Sequence, residues 1–81
     1  MFNSEIFGQR LRMARKNKGI GQKVIAELLG VTRTQVSDME KGKTTTSLVR
    51  LVLLAEFYHV STDYLLGVTD DPTWKGGQID N

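Results

Sequence analysis

The stretch that decides the fold is Glu27–Gly42, ELLGVTRTQVSDMEKG. Gly30 offers a backbone without a Cβ, as a tight helix stop requires. Thr32 follows at once with a side-chain oxygen suited to capping a new helix from Arg33 to Lys41. Gly42 stops that second helix. A restart so soon after a stop forces a sharp angle between two short helices, and the rest of the chain has to account for it.

Working outward, a helix runs from about Gln22 to Leu29 with Ile25, Ala26 and Leu29 inward. Before it, Ser4 or Asn3 caps a first helix running to about Lys18. Phe7, Leu11 and Ala14 form its apolar stripe at i, i+4, i+7. Arg10, Arg12, Arg15, Lys16 and Lys18 crowd its C-terminal half, where cations suit the helix dipole, and Gly19 ends it. After Gly42 comes the polar loop KTTTS. Thr46 or Ser47 caps a fourth helix to about Tyr58, with Leu48, Leu51, Leu54 and Ala55 as its core stripe. His59 closes that helix, a role that needs tolerance of positive φ. Ser61 caps a short fifth helix, TDYLLG, stopped by Gly67. The remainder, VTDDPTWKGGQIDN, has no periodicity and reads as a loosely ordered tail. The expected architecture is an all-α bundle of five short helices over 1–67 with a tail over 68–81.

Eighty-one residues make one domain. There is no cysteine, so neither disulfides nor a thiolate metal site supports the fold. An apolar core must do so, and 40% hydrophobic content suffices for one. No apolar run approaches the roughly 20 residues of a membrane span. MFNSEIFGQR lacks the basic-then-apolar order of a signal peptide, so a cytoplasmic protein with no membrane partner is the expectation. Charge is uneven: residues 1–50 carry ten Lys/Arg against four Asp/Glu, and residues 51–81 carry one against five. A basic half suggests a polyanionic partner. His59, the single histidine, has no cysteine or carboxylate cluster beside it, and Asp70–Asp71 form no calcium loop. Nothing proposes a catalytic residue, a metal, a cofactor or a small-molecule ligand.

Numbered from Gln22, a small residue falls fifth (Ala26), glycine ninth (Gly30), and apolar residues fourth, eighth, tenth, fifteenth and eighteenth (Ile25, Leu29, Val31, Val36, Met39). Together these lock two helices into a helix-turn-helix. At these residues FGQRLRMARKNKGIGQKVIAELLGVTRTQVSDMEKGK resembles the helix-turn-helix of phage lambda-repressor and Cro-type regulators, the Xre family. The resemblance extends through SLVRLVLLAEFYHVSTDYLLG and covers roughly Ile6 to Gly67. It implies a transcriptional regulator that binds a double-stranded operator, usually palindromic, as a homodimer and commonly represses. An antitoxin-like or partner-controlled protein-interaction module on the same fold is the alternative. The sharp angle then lets the second helix cross the DNA backbone while the third enters the major groove.

Arg33, Thr34, Ser37 and Asp38 lie on the outward face expected to read bases, and by that resemblance Arg33, Thr34 and Asp38 match base-reading positions. Arg33 can bridge O6 and N7 of guanine, and Thr34 can meet a thymine methyl. Asp38 departs from the family pattern: a carboxylate near phosphates is costly unless it accepts from cytosine N4 or pairs with Arg33 or Lys41. Gln22 matches a phosphate-binding glutamine, and Gly21 replaces the more usual capping residue before it. Lys23, Thr32, Gln35, Lys41, Lys43, Thr44 and Thr45 complete the expected phosphate contacts. Arg15 and Glu40 match a structural ion pair between the first and third helices. Val24 and Leu28, and Val49 and Leu53, are surplus apolar pairs at i, i+4. They fit either a dimer or partner surface, with Val49 a candidate and the resemblance favouring Leu53, Tyr64 and Leu65, or a wider core covered by the tail with Trp74.

Overall fold

The computed structural model describes residues 1–74, which form five helices: α1 Ser4–Asn17, α2 Gln22–Leu29, α3 Arg33–Glu40, α4 Leu48–Tyr58 and α5 Thr62–Leu66. Four of the five starts are capped by a side chain. Asn3 Oδ1 accepts from the N–H groups of Glu5 and Ile6 at 2.9 and 3.1 Å. Thr32, Ser47 and Ser61 cap α3, α4 and α5. α2 begins at Gly21 with no side-chain cap; in its first turn Val24 N–H donates to the Gly21 carbonyl at 3.2 Å, while the Gln22 and Lys23 N–H groups have no side-chain cap. α2 ends on Gly30 at φ +69°, and α4 ends on His59 at φ +58°, both left-handed.

Every helix contributes to one core: Phe7 and Leu11; Ile25, Ala26 and Leu29; Val36 and Met39; Leu51, Leu54, Ala55 and Tyr58; and Leu65. α3 lies against both α1 and α2, while α5 joins α1 to α4. The α1–α3 contact is close because Gly8 faces the end of α3. A Cβ there would stand 2.5 Å from the carbonyl oxygen of Met39 and 2.6 Å from that of Glu40.

Three expectations are corrected. Leu48 is 80% exposed; as the first residue of α4 it precedes the buried stripe, which is Leu51, Leu54, Ala55 and Tyr58 at i, i+3, i+4, i+7. Leu65, expected on a docking surface, is fully buried, because the short α5 turns its one inward residue onto α1 and α4. Residues 68–74, expected to be loosely ordered, fold back as a strap. Arg10 on α1 donates to the carbonyl oxygens of Tyr64 and Thr69, both at 2.6 Å, and to Asp70 at 2.7 Å. Its guanidinium sits 4.4 Å from the Tyr64 ring centre. Ser61 N–H donates to the Pro72 carbonyl at 3.1 Å, an antiparallel bridge links Val60 to Thr73, and Trp74 lies against His59. The expected tail beyond Trp74 lies outside the described residues.

Candidate nucleic-acid interface

The α2–turn–α3 unit is fixed locally by the cap at Thr32. Gln35 N–H donates to Thr32 Oγ1 at 3.1 Å, while Thr32 N–H and Oγ1–H both donate to Gln35 Oε1, at 2.8 and 3.2 Å. This reciprocal capping box satisfies first-turn donors from within. It also spends the Thr32 hydroxyl proton and the Gln35 carbonyl. What these two side chains still present outward is the Gln35 amide NH₂.

The unit is then held to the bundle by two arginines. Arg15 forms a forked ion pair with Glu40, Nε to Oε2 at 2.7 Å and Nη2 to Oε1 at 2.9 Å, and its Nη1 donates to the Ile20 carbonyl at 2.9 Å. The two side chains are 11% and 4% exposed. The hydrogen bond to Glu40 raises the Arg15 pKa above its ordinary value despite opposing desolvation. Nearby, burial pushes the Tyr58 phenol well up, and the Glu40 charge pushes it further. Gln22 donates to Glu40 Oε1 at 3.1 Å; a carboxylate only accepts, so the amide nitrogen must face it. Gln22 thus belongs to this network and keeps one N–H to offer elsewhere. On the other side, Arg50 Nε of α4 donates to the Leu29 carbonyl at the end of α2, at 3.2 Å.

Gly8 and Arg50 escape a reading of the chain alone. Gly8 leaves a signal, since glycine inside a helical pattern costs roughly 1 kcal/mol and asks for a packing reason. Arg50 leaves none, because its partner is a backbone carbonyl 21 residues earlier.

With Val36, Met39 and Glu40 turned inward, Thr34 and Asp38 share the opposite face of α3, one turn apart. Arg33, Thr34 and Gln35 are exposed; Ser37 and Asp38 are half-buried at the edge of the face. Lys41, Lys43, Thr44 and Thr45, just after the helix, and Lys23 on α2 are exposed as well. The loop is tied beneath α3 by Lys43 N–H donating to the Asp38 carbonyl at 2.9 Å. Asp38, Gln35, Thr44 and Arg50 line an open cleft between α3, this loop and the start of α4. The ion pairs among the described residues are Arg10–Asp70 and Arg15–Glu40, so neither Arg33 nor Lys41 neutralises Asp38.

The surplus apolar residues divide. Leu28 packs half-buried against the core, and Val24 is 42% exposed. Val49, Val52 and Leu53 on α4 are 72%, 47% and 36% exposed, and Leu48 adjoins them. Tyr64 is half-buried beneath Arg10.

An angled helix pair with a capped, outward-facing second helix, seated on a five-helix bundle, defines a helix-turn-helix protein of the lambda-repressor type. The chain belongs to that family: the helix-turn-helix profile matches residues 11–65. It is 39% identical over 70 residues to the HTH-type transcriptional regulator YobD of Bacillus subtilis, covering 86% of this chain and 62% of YobD. It is 41% identical over 61 residues to the SPbeta prophage-derived regulator YonR of the same organism, covering 75% of this chain and 56% of YonR. The chain therefore spans about three-fifths of these relatives. Among solved structures, the P22 c2 repressor in complex with a synthetic operator superposes with a TM-score of 0.70 at 31% identity, over 75% of this chain and 92% of that one. The restriction-modification controller protein C.AhdI from Aeromonas hydrophila superposes with a TM-score of 0.66 at 38% identity, over 75% and 92%.

Proposed function

We propose that this chain is a sequence-specific DNA-binding transcriptional regulator that acts as a repressor, with double-stranded operator DNA as its partner and the cytoplasm as its place of action. The observation that carries this reading is the outward face of α3. Arg33 and Asp38 on that face form no ion pair with another described residue, while the Thr32 cap fixes the start of α3, the Arg15–Glu40 pair ties its end to α1, and Arg50 ties the end of α2 to α4. A helix presented in this way suits the major groove, about 12 Å wide. Arg33, Thr34, Ser37 and Asp38 then face base edges. The phosphate backbone is met by Lys23, Lys41, Lys43, Thr44, Thr45, the Gln35 amide, the free N–H of Gln22 and the open N-terminus of α2. Similarity to an operator-bound repressor supports the same reading.

One short recognition helix covers few base pairs, so the chain acts as a homodimer on a palindrome with half-sites about 34–36 Å apart. The exposed apolar strip of α4, Val49 with Val52 and Leu53, supplies the dimer surface. That strip also favours a second reading, in which it docks a controlling protein partner. Selection of bound sequences from random duplex DNA tests the proposal. A two-fold symmetric consensus is expected; retention of DNA with no enriched sequence would refute it.

A further inference from the structure

We infer that Asp38 is the specificity-determining carboxylate of this interface and that it selects cytosine, accepting a hydrogen bond from the exocyclic N4 amino group in the major groove. The inference rests on the reading of α3 as the base-reading helix.

The Asp38 carboxylate has no hydrogen-bond or ion-pair partner among the described residues. Two roles would have made it a scaffold residue, pairing with Arg33 or with Lys41, and neither pair forms. Arg50 lines the same cleft but gives its Nε to Leu29, and no ion pair joins it to Asp38. The carboxylate takes no hydrogen bond from another described residue. Its place in the helix is unfavourable too. The last turn of α3 holds no basic residue, and a negative charge near a helix C-terminus opposes the dipole. Glu40 in that turn is neutralised by Arg15; Asp38 is not. The charge is unfavourable to the helix dipole and to the DNA phosphates alike, and a base contact in the groove would offset both.

The chemistry of the groove identifies that ligand. A carboxylate only accepts. Guanine presents O6 and N7 and thymine presents O4, acceptors that repel it. Adenine pairs its N6 donor with an adjacent N7 acceptor, which opposes the second carboxylate oxygen. Cytosine presents the N4 donor alone. Thr34, one turn away on the same face, flanks Asp38 on α3.

The experiment is selection from random duplexes with the full chain and with Asp38→Asn and Asp38→Ala, followed by titration of single-base variants of the selected site. Wild type is expected to require cytosine at one position per half-site, and changing that pair should weaken binding at least about 5-fold, the low end of one good base contact. Asp38→Asn carries both a donor and an acceptor and should move the preference at that position to adenine, its bidentate match. Asp38→Ala should accept all four bases there. Thermal midpoints at or above wild type would confirm that both variants fold. If both keep the wild-type consensus, the inference is overturned while the regulator reading stands. If wild type enriches no sequence, the regulator reading itself fails.

Discussion

The Arg15–Glu40 pair offers a sharp test of how the recognition helix is held. Breaking a buried pair from one side strands a charge, which costs about 3–5 kcal/mol, whereas an exposed pair is worth under about 1 kcal/mol. Side-chain exposures of 11% and 4%, with forked geometry at 2.7 and 2.9 Å, place this pair at the buried extreme. Arg15→Met would leave Glu40 with the hydrogen bond from Gln22 and no cation. Glu40→Leu would leave Arg15 with the Ile20 carbonyl. The long Arg15 stem can carry its charge toward water, and the short Glu40 cannot. Arg15→Met should therefore be the costlier change. A domain of this size has roughly 4–12 kcal/mol to lose, and 3 kcal/mol lowers the melting temperature by roughly 12–24 °C. The double variant replaces both charges with apolar groups and should recover most of that loss. Urea denaturation of the four proteins at low temperature closes the cycle. A coupling energy of at least about 2 kcal/mol is expected; additive losses would show that the pair does not act as a unit and that other contacts hold α3.

Gly8→Ala gains up to about 1 kcal/mol of helix propensity, but overpacking against the Met39 and Glu40 carbonyls costs about 1–3 kcal/mol. Lower stability is therefore expected, and a raised melting temperature would show that α1 and α3 can separate freely. Because the folded Tyr58 phenol titrates above its ordinary value, its contribution to stability is complete below about pH 10 and is lost as pH rises beyond it, at up to about 1.4 kcal/mol per pH unit. Tyr58→Phe should lose less between about pH 10 and 11 in urea titrations; parallel losses would remove Tyr58 as the cause. Arg33→Ala should cost about 1–3 kcal/mol on the operator and relax one base pair per half-site, whereas Lys43→Ala should weaken operator and random duplex alike and reduce the salt slope by about one. Equal weakening of all duplexes by Arg33→Ala would make Arg33 a phosphate contact. Val49→Asp with Leu53→Asp should yield a folded monomer by sedimentation with weakened operator binding; an unchanged dimer would move the interface elsewhere.

What could be read along the chain was set by local geometry. Gly30, Thr32 and the inward spacing from Ile25 to Met39 are requirements of a two-helix turn, and each acts within a few residues. The same holds for His59, whose left-handed φ of +58° follows from its place at a helix end. The features missed depend on contacts distant along the chain. Gly8 is needed because the end of α3 crosses it, and Arg50 works through the carbonyl of Leu29. The strap after Gly67 is held by Arg10 and by backbone hydrogen bonds, and neither leaves a hydropathy pattern. Leu48 and Leu65 mislead for a related reason: a residue at a helix start, or in a helix of five residues, has too little periodicity around it to fix its face.

The recognition face joins these two kinds of information. The residues opposite Val36 and Met39 follow from helical spacing alone, so the set Arg33, Thr34, Ser37 and Asp38 is legible in one dimension. Their separate tasks are not, because a task depends on what else each side chain can reach. Asp38 shows the difference. Spacing leaves it three partners: Arg33, Lys41 or a base. The folded chain removes the first two, since neither Arg33 nor Lys41 forms an ion pair with it. A carboxylate without a partner among the described residues, on a surface otherwise rich in cations and hydroxyls and near a helix C-terminus, runs against the local helix electrostatics. Such conflicts gather where function is exercised, and here the conflict has a sign, a charge and one matching base.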